Sequence, residues 1–385
     1  MTPVRAESDS VLFSPHRLGA LDLPNRIVMA PMSRARAGAG DTATALMAQY
    51  YRQRASAGLI VGESSQISRQ GQGYAWAPGL HSAAQIAAWR GVTDAVHAAG
   101  GRMFAQLWHA GRMSHVSLQP DGAAPVAPSA LQAAAAKVYI DPHGRGAPSR
   151  DGELVAASMP RALSAHDIAG IVADYARAAR NAIDAGFDGV ELHGAHGYLI
   201  QQFLDPASNL RDDGYGGSRD ARLRFVFEAA QAVAAAVGAH RVGLRFAPWR
   251  ADADAAAAES DALALAARMD ALDLAYLHVC EDDTGQRPPL SDGFRRELRA
   301  RFRRSLIYVG GYTAQRAEAA LQAGWADLIG FGRPFIANPD LPHRLRRGLA
   351  LADGDRATYF GGAQQGYTDY PAASDPETVA EAETA

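Results

Sequence analysis

The sequence predicts a (β/α)8 barrel, and three observations carry that expectation. Eight short apolar runs recur along the 385 residues. Longer helical patterns lie between them, and several of these stop at the same Ala-Gly pair. The runs are Arg26–Met32, Leu59–Ser65, Arg102–Trp108, Gly189–His193, Arg241–Phe246, Leu274–Cys280, Leu306–Gly310 and Asp327–Phe331. Being apolar on both faces suits strands of a buried parallel sheet. A doubly wound open sheet is the alternative. The count of eight, and the lack of a glycine-rich fingerprint after the first run, favour the barrel.

The helical intervals carry matching punctuation. Ser82 with Gln85, and Ser164 with Asp167, have the spacing of a capping box. Gly58, Gly100, Gly186 and Gly324 follow helical patterns in "RASAGLIV", "HAAGGRMF", "IDAGFDGV" and "LQAGWADLI". Each is expected to take the left-handed conformation that ends a helix. Two segments fall outside the alternation. Arg112 to Pro160, rich in Pro, Gly and Ala, reads as an insertion after strand three that covers the C-terminal mouth. Residues 372–385, acidic and without aromatics, read as a disordered tail, leaving 1–371 as one domain.

Composition narrows the function. A formal net charge of −3 offers no electrostatic case for nucleic acid or anionic membrane. The start, "MTPVRAESDSVLFSP", has no apolar core of a secretory signal. The most apolar helical stretch, Phe225 to Gly238, is too short to span a bilayer. The expectation is a soluble cytoplasmic protein, monomer or homodimer. Cys280 is the only cysteine, which excludes an intrachain disulfide and a thiolate-held cluster. Lys137 is the only lysine and sits in an irregular-looking stretch, "LQAAAAKVYIDPHGRG", a poor setting for Schiff-base chemistry.

Barrel active sites lie at the C-terminal ends of the strands. Strand four ends in "VELHGAHGYLIQQFL", placing His193, His196 and Tyr198 within six residues. The imidazoles could be satisfied core groups, metal ligands, or donors to a substrate oxygen that gains charge. Tyr198 beside them favours the third, since a phenol there can donate a proton. Strands seven and eight end in "VGGYT" and "GFGRP". Gly310 and Gly311 can bring backbone N–H groups close to an oxyanion, Thr313 can cap the next helix, and Arg333 can fork onto phosphate. Arg245 either pairs with Glu63 or Glu191 in the core or faces an anionic ligand. Gln106 is either a satisfied core amide or the reader of a heterocyclic carbonyl and its N–H.

Seven separated motifs then match one family in order. "NRIVMAPMSRARA", "SAGLIVGESSQIS", "QLWHAGR", "VELHGAHGYLIQQFLDPASNLRDDGYGGS", "GLRFAP", "GFGRPFIANPDLP" and "GYTDYP" resemble the Old Yellow Enzyme family of FMN-dependent ene-reductases. The resemblance spans residues 11 to 371. It implies noncovalent FMN at the mouth of the barrel and NADPH or NADH as reductant. The substrate would be a small activated alkene, an enone, enal, nitroalkene or maleimide. It implies cofactor contacts from Pro31, Met32, Ser33, Ser64, Gln106, Arg245, Gly310, Gly311, Gly332 and Arg333. His193 and His196 would bind the substrate oxygen, Tyr198 would protonate carbon, and Tyr74, Trp108 and Tyr367 would line the pocket. Ser33 stands where the family usually has Thr or Cys, which keeps a hydroxyl but frees its rotamer. The loop after strand five, "PWRADADAAAAES", looks short. Two other readings compete: a metal- or phosphate-dependent barrel lyase or isomerase using "CEDD" at Cys280–Asp283, and a non-catalytic flavin-binding protein.

Overall fold

Eight parallel strands close into a barrel: β1 Ile27–Met29, β2 Leu59–Gln66, β3 Met103–Trp108, β4 Gly189–Gly194, β5 Val242–Phe246, β6 Tyr276–Cys280, β7 Ser305–Val309 and β8 Leu328–Phe331. Each pairs with its sequence neighbours, and β8 pairs with β1 to close the ring. The computed structural model describes residues 10–373 apart from 145, 147, 149–150, 250–253, 283 and 286–288. All eight expected strands form; several start one or two residues later than expected, and the first ends three residues earlier, at Met29. Every residue of β2 to β6 is buried, as two-sided apolar runs require.

Helices cover the outside. Both capping boxes form, at Ser82–Gln85 ahead of Ala83–Ala98 and at Ser164–Asp167 ahead of Ala165–Asp184. Gly100, Gly186 and Gly324 are left-handed, with φ of +80°, +90° and +75°. Gly58 is not among the positive-φ residues. Its glycine is required instead by close approach, since a Cβ there would lie 2.1 Å from the carbonyl oxygen of Asn25. The segment read as a loop after strand five is partly helical: Asp254 caps a helix at Ala255–Ala271, and the intervening 250–253 lie outside the described residues. The expected tail lies outside them beyond Ala373. No helix among the described residues is long and apolar enough to cross a membrane.

The insertion after β3 is more ordered than its composition suggests. Lys137–Ile140 and Glu153–Ala156 form an antiparallel hairpin. Strand alternation sends Val138 and Ile140 into a small core with Trp76 and Leu118. The carbonyl of Tyr139 accepts from the backbone N–H of Ala75 at 2.8 Å, tying the hairpin to the loop after β2. The expected irregular stretch around Lys137 is therefore a strand.

Candidate active site

A polar network fills the barrel beneath the mouth. Register sets it up: Ser64, Gln106 and Glu191 are cross-strand neighbours on β2, β3 and β4. One level higher, His193, Arg245 and His278 are neighbours on β4, β5 and β6. Glu191 and His193, two apart on one strand, share the inward face. Ser64 donates to the Gln106 amide oxygen at 2.7 Å, and the Gln106 amide nitrogen donates to Glu191 at 2.8 Å. The other Glu191 oxygen lies 2.8 Å from Nδ1 of His278. Burial alone would raise the Glu191 carboxyl. His278, Arg245 and Gln106 together outweigh that and hold it ionised. Burial also keeps His278 neutral, so the contact is a hydrogen bond from imidazole to carboxylate.

Arg245 makes no direct ion pair with Glu63 or Glu191 among the described residues. Its charge offsets that of Glu191, yet its hydrogen bond runs from Nε to the Cys280 sulfur at 3.0 Å. Its terminal nitrogens have no hydrogen-bond partner among the described residues, although the residue is only 6 % exposed. Glu63 is engaged elsewhere, by the Arg34 backbone N–H and the Tyr51 hydroxyl.

His193, His196 and Tyr198 converge above this layer. His193 Nε2 and His196 Nδ1 face each other at 3.4 Å. The His193 ring centroid lies 5.1 Å from that of His196 and 5.0 Å from that of Tyr198. The turn that brings them together is strained: His196 has φ +59°, followed by Gly197 at +77°. A non-glycine residue there costs about 1–2 kcal/mol, and such outliers gather at functional sites. Two glutamines absent from the sequence reading hold the turn. Gln201 accepts from the Gly197 N–H at 2.7 Å, and Gln202 donates to the carbonyls of Gly197 and Ala110.

Burial sets the protonation of this group. It lowers His196 to about 3, with Arg245 and His278 adding to the effect. His193 is lowered well below its ordinary value for the same reasons, with His196 contributing. Both imidazoles are neutral near pH 7, each with one N–H to give. Burial pushes the Tyr198 phenol well above 10, so its proton stays on. The hydroxyls of Tyr198 and Tyr74 lie 3.0 Å apart. Trp108, fully buried, stacks under Tyr74 at 5.5 Å and meets Tyr198 edge-on at 5.3 Å.

A cavity of about 500 Å³ opens above these residues. Met32, Ser33, Tyr74, Tyr198 and Arg333 line it, as do Lys137, Tyr139 and Leu154 from the insertion and Tyr359 and Phe360 from the C-terminal segment. Pro31 leads into this lining on the loop after β1. Gly310 and Gly311 leave β7 with φ of +149° and +60°. A Cβ on Gly310 would strike Glu281 at 2.7 Å, so that turn admits only glycine. Thr313 caps the next helix. Gly332 sits between β8 and Arg333, against Met32. Glu281 of the "CEDD" stretch is consumed by Arg295 and Arg316, and Asp283 lies outside the described residues.

Tyr367 is placed behind the cavity rather than on its lining. It is fully buried, stacked on Tyr50 at 4.0 Å, with Arg34 and Arg36 over its ring. Those arginines bind carbonyls of the C-terminal segment, among them Tyr359, Gly366 and Thr358. They bring Tyr359 and Phe360, unmarked in the sequence, to the mouth.

Comparison with known proteins agrees with this fold. A family model described as the NADH:flavin oxidoreductase / NADH oxidase family matches residues 11–352. The chain is 41 % identical to a chanoclavine-I aldehyde reductase of Penicillium roqueforti over 383 residues, covering 96 % of this chain and 99 % of that protein. It is 40 % identical to 12-oxophytodienoate reductase 7 of Oryza sativa subsp. japonica, covering 97 % of each. Among solved structures, morphinone reductase in complex with tetrahydroNAD superposes with a TM-score of 0.88 at 47 % identity, covering 94 % of this chain and 98 % of that one. The Old Yellow Enzyme homologue from Zymomonas mobilis gives 0.85 at 40 %, covering 94 % and 99 %. The chain belongs to the NADH:flavin oxidoreductase / NADH oxidase family, the Old Yellow Enzymes, which are FMN-dependent NAD(P)H oxidoreductases that reduce activated carbon–carbon double bonds.

Proposed function

We propose that this chain reduces the double bond of enones, enals, nitroalkenes and maleimides, with His193 and His196 holding the substrate oxygen and Tyr198 supplying the proton. The observation that carries the assignment is the convergence of two neutral imidazoles and a protonated phenol in one buried turn.

The donor set beneath the mouth fits FMN. A buried guanidinium with unengaged terminal nitrogens suits the pyrimidine side of the ring, and the Gln106 amide, fixed by Ser64 and Glu191, suits the same edge. Pro31, Met32 and Ser33, on the loop after β1, would also contact the cofactor. Gly310, Gly311, Gly332 and Arg333 would hold the phosphate, since glycines let the backbone come close and an arginine can fork onto oxygens. Bound FMN, once reduced by NADPH or NADH, supplies the hydride that adds to the β-carbon of the alkene.

The protein's own groups do the rest. An oxygen seated between His193 Nε2 and His196 Nδ1 can accept from both, because neutral imidazoles can each present one N–H. Negative charge that develops there is held by preorganised donors, each worth about a hundredfold or more in rate. Tyr198 keeps its proton at neutral pH and delivers it to the α-carbon. Tyr74 and Trp108 hold that phenol in place and exclude water. The described part of the proposed 1–371 domain, residues 10–371, reads as one barrel unit, with the Pro371 carbonyl accepting from Arg344.

Steady-state oxidation of NADPH and NADH, with and without cyclohexenone, tests the reading. Enone-dependent oxidation with cyclohexanone as product is expected. A protein that binds flavin but oxidises nicotinamide no faster with any activated alkene than without is not an alkene reductase, and the reading falls.

A further inference from the structure

We infer that Cys280 is a positioning residue: its sulfur turns the Arg245 guanidinium toward the mouth, away from Glu191, and so favours the reduced form of the bound flavin. The inference rests on the reading of Arg245 as the partner of the flavin's pyrimidine edge.

Strand alternation separates the residues of the "CEDD" stretch. Cys280 ends β6 on the inward face, two residues beyond His278. Glu281 points the other way, to Arg295 and Arg316. Cys280 is 2 % exposed, and its sulfur accepts from Arg245 Nε at 3.0 Å.

The register of the barrel gives that contact its meaning. Arg245 lies level with His193 on β4 and with His278 on β6. Glu191 lies two residues deeper on β4, and Cys280 two residues nearer the mouth on β6. Two residues span about 7 Å along a strand. The guanidinium therefore has two directions open to it. A buried carboxylate is the usual destination of a buried cation. Arg245 does not take it: the Glu191 oxygens accept instead from Gln106 and His278. Cys280 engages Nε from the mouth side. With that N–H used, the edge left to Arg245 is its pair of terminal nitrogens, the fork that grips anions and polarised oxygens. A buried guanidinium with that fork unfilled needs an acceptor, and a ligand above it supplies one.

The chemistry of the holding atom matters as much as its place. A carboxylate at this position would fix the guanidinium and cancel its charge. A protonated thiol accepts through sulfur without adding a charge. Arg245 then keeps its full positive charge for the ligand. The anion formed when the flavin is reduced gains more from that charge than the neutral oxidised ring does.

The test compares Cys280→Ser, Cys280→Val and Cys280→Ala with the parent and with Arg245→Gln. A flavin titration gives the dissociation constant of oxidised FMN, and an anaerobic dye-linked titration gives the two-electron potential. Cys280→Val and Cys280→Ala have no accepting atom. Each should weaken reduced FMN relative to oxidised FMN by roughly three- to tenfold, the effect of one lost hydrogen bond. A tenfold change lowers the potential of a two-electron couple by about 30 mV. Cys280→Ser keeps an acceptor and should stay near the parent. Arg245→Gln should lower the potential further or release the flavin. Repacking alone would move the urea midpoints of the valine and alanine variants but not their potentials. Parental potentials in those two variants, with a lowered one in Arg245→Gln, overturn the role of Cys280 and leave Arg245 on the flavin. A fall that Cys280→Ser shares in full also overturns it, since an accepting atom is then not what matters. A parental potential in Arg245→Gln refutes the reading of Arg245 itself.

Discussion

Replacing Tyr74 with Phe removes one oxygen from a contact on which the proton donor depends. The two hydroxyls lie 3.0 Å apart, and the Tyr74 ring is stacked on buried Trp108 at an interplanar angle of 22°. The phenylalanine ring should therefore stay where the tyrosine was. Burial raises both phenols, so neither ionises in the resting enzyme. When Tyr198 gives up its proton, the oxygen left behind is charged and buried, and the Tyr74 hydroxyl is the donor beside it. A hydrogen bond to a charged group is worth about 1.5–3 kcal/mol, so its loss should slow the protonation step roughly ten- to a hundredfold. The assay is anaerobic rapid mixing of the reduced variant with cyclohexenone. The limiting rate should fall while the apparent dissociation constant moves little, and flavin reduction by NADPH should be nearly unaffected. A parental limiting rate with an unchanged pH profile would refute the reasoning, leaving Tyr74 as a wall of the pocket.

Arg333→Ala should weaken FMN binding more than it slows the fully loaded enzyme; an unchanged dissociation constant in a flavin titration removes Arg333 from the phosphate site. His193→Ala combined with His196→Ala should weaken phenol binding and slow alkene reduction while sparing flavin reduction; tight phenol binding in the double variant contradicts the oxygen-binding role. Stability should fall on acidification below about pH 6.5, because His109 and His196 stay neutral in the fold down to about 3 and protonate in the unfolded chain. The unfolded state then binds more protons, and each group removes up to ~1.4 kcal/mol per pH unit over that window. Glu63 and Asp41, carboxyls raised by burial, act in the opposite sense at lower pH. Urea midpoints that stay flat from about pH 7.5 to about pH 5 would contradict the burial of these imidazoles.

The barrel was legible in the sequence because two-sided apolar runs of strand length are a local signal, and so are the serine caps that precede the helices. His193, His196 and Tyr198 were legible because three such groups in six residues is an unusual way to leave a strand. What tertiary partners decide was hidden. Nothing local says that His196 would adopt a left-handed backbone, since Gln201 and Gln202 enforce it from the next turn. The Glu191–His278 contact joins residues 87 apart, and only the register of β4, β5 and β6 reveals it. The hairpin at Lys137 was masked by the alanines before it, because four residues of alternation are too few to stand out. Tyr359 and Phe360 reach the mouth only because Arg34 and Arg36, far upstream, bind the carbonyls of that segment.

The most direct test of the central claim compares Tyr198→Phe with the parent in one half-reaction. Each protein is reduced anaerobically with NADPH and mixed rapidly with cyclohexenone, then with a nitroalkene. The variant keeps the ring beside Trp108 but has no proton to give. Loss of a general acid typically costs roughly 10²- to 10⁴-fold, and that loss is expected with the enone. The nitroalkene should still oxidise the variant rapidly, because its nitronate is stable enough to leave and be protonated in water. If Tyr198→Phe is reoxidised by cyclohexenone as fast as the parent, the phenol is not the acid and the assignment of the site is wrong.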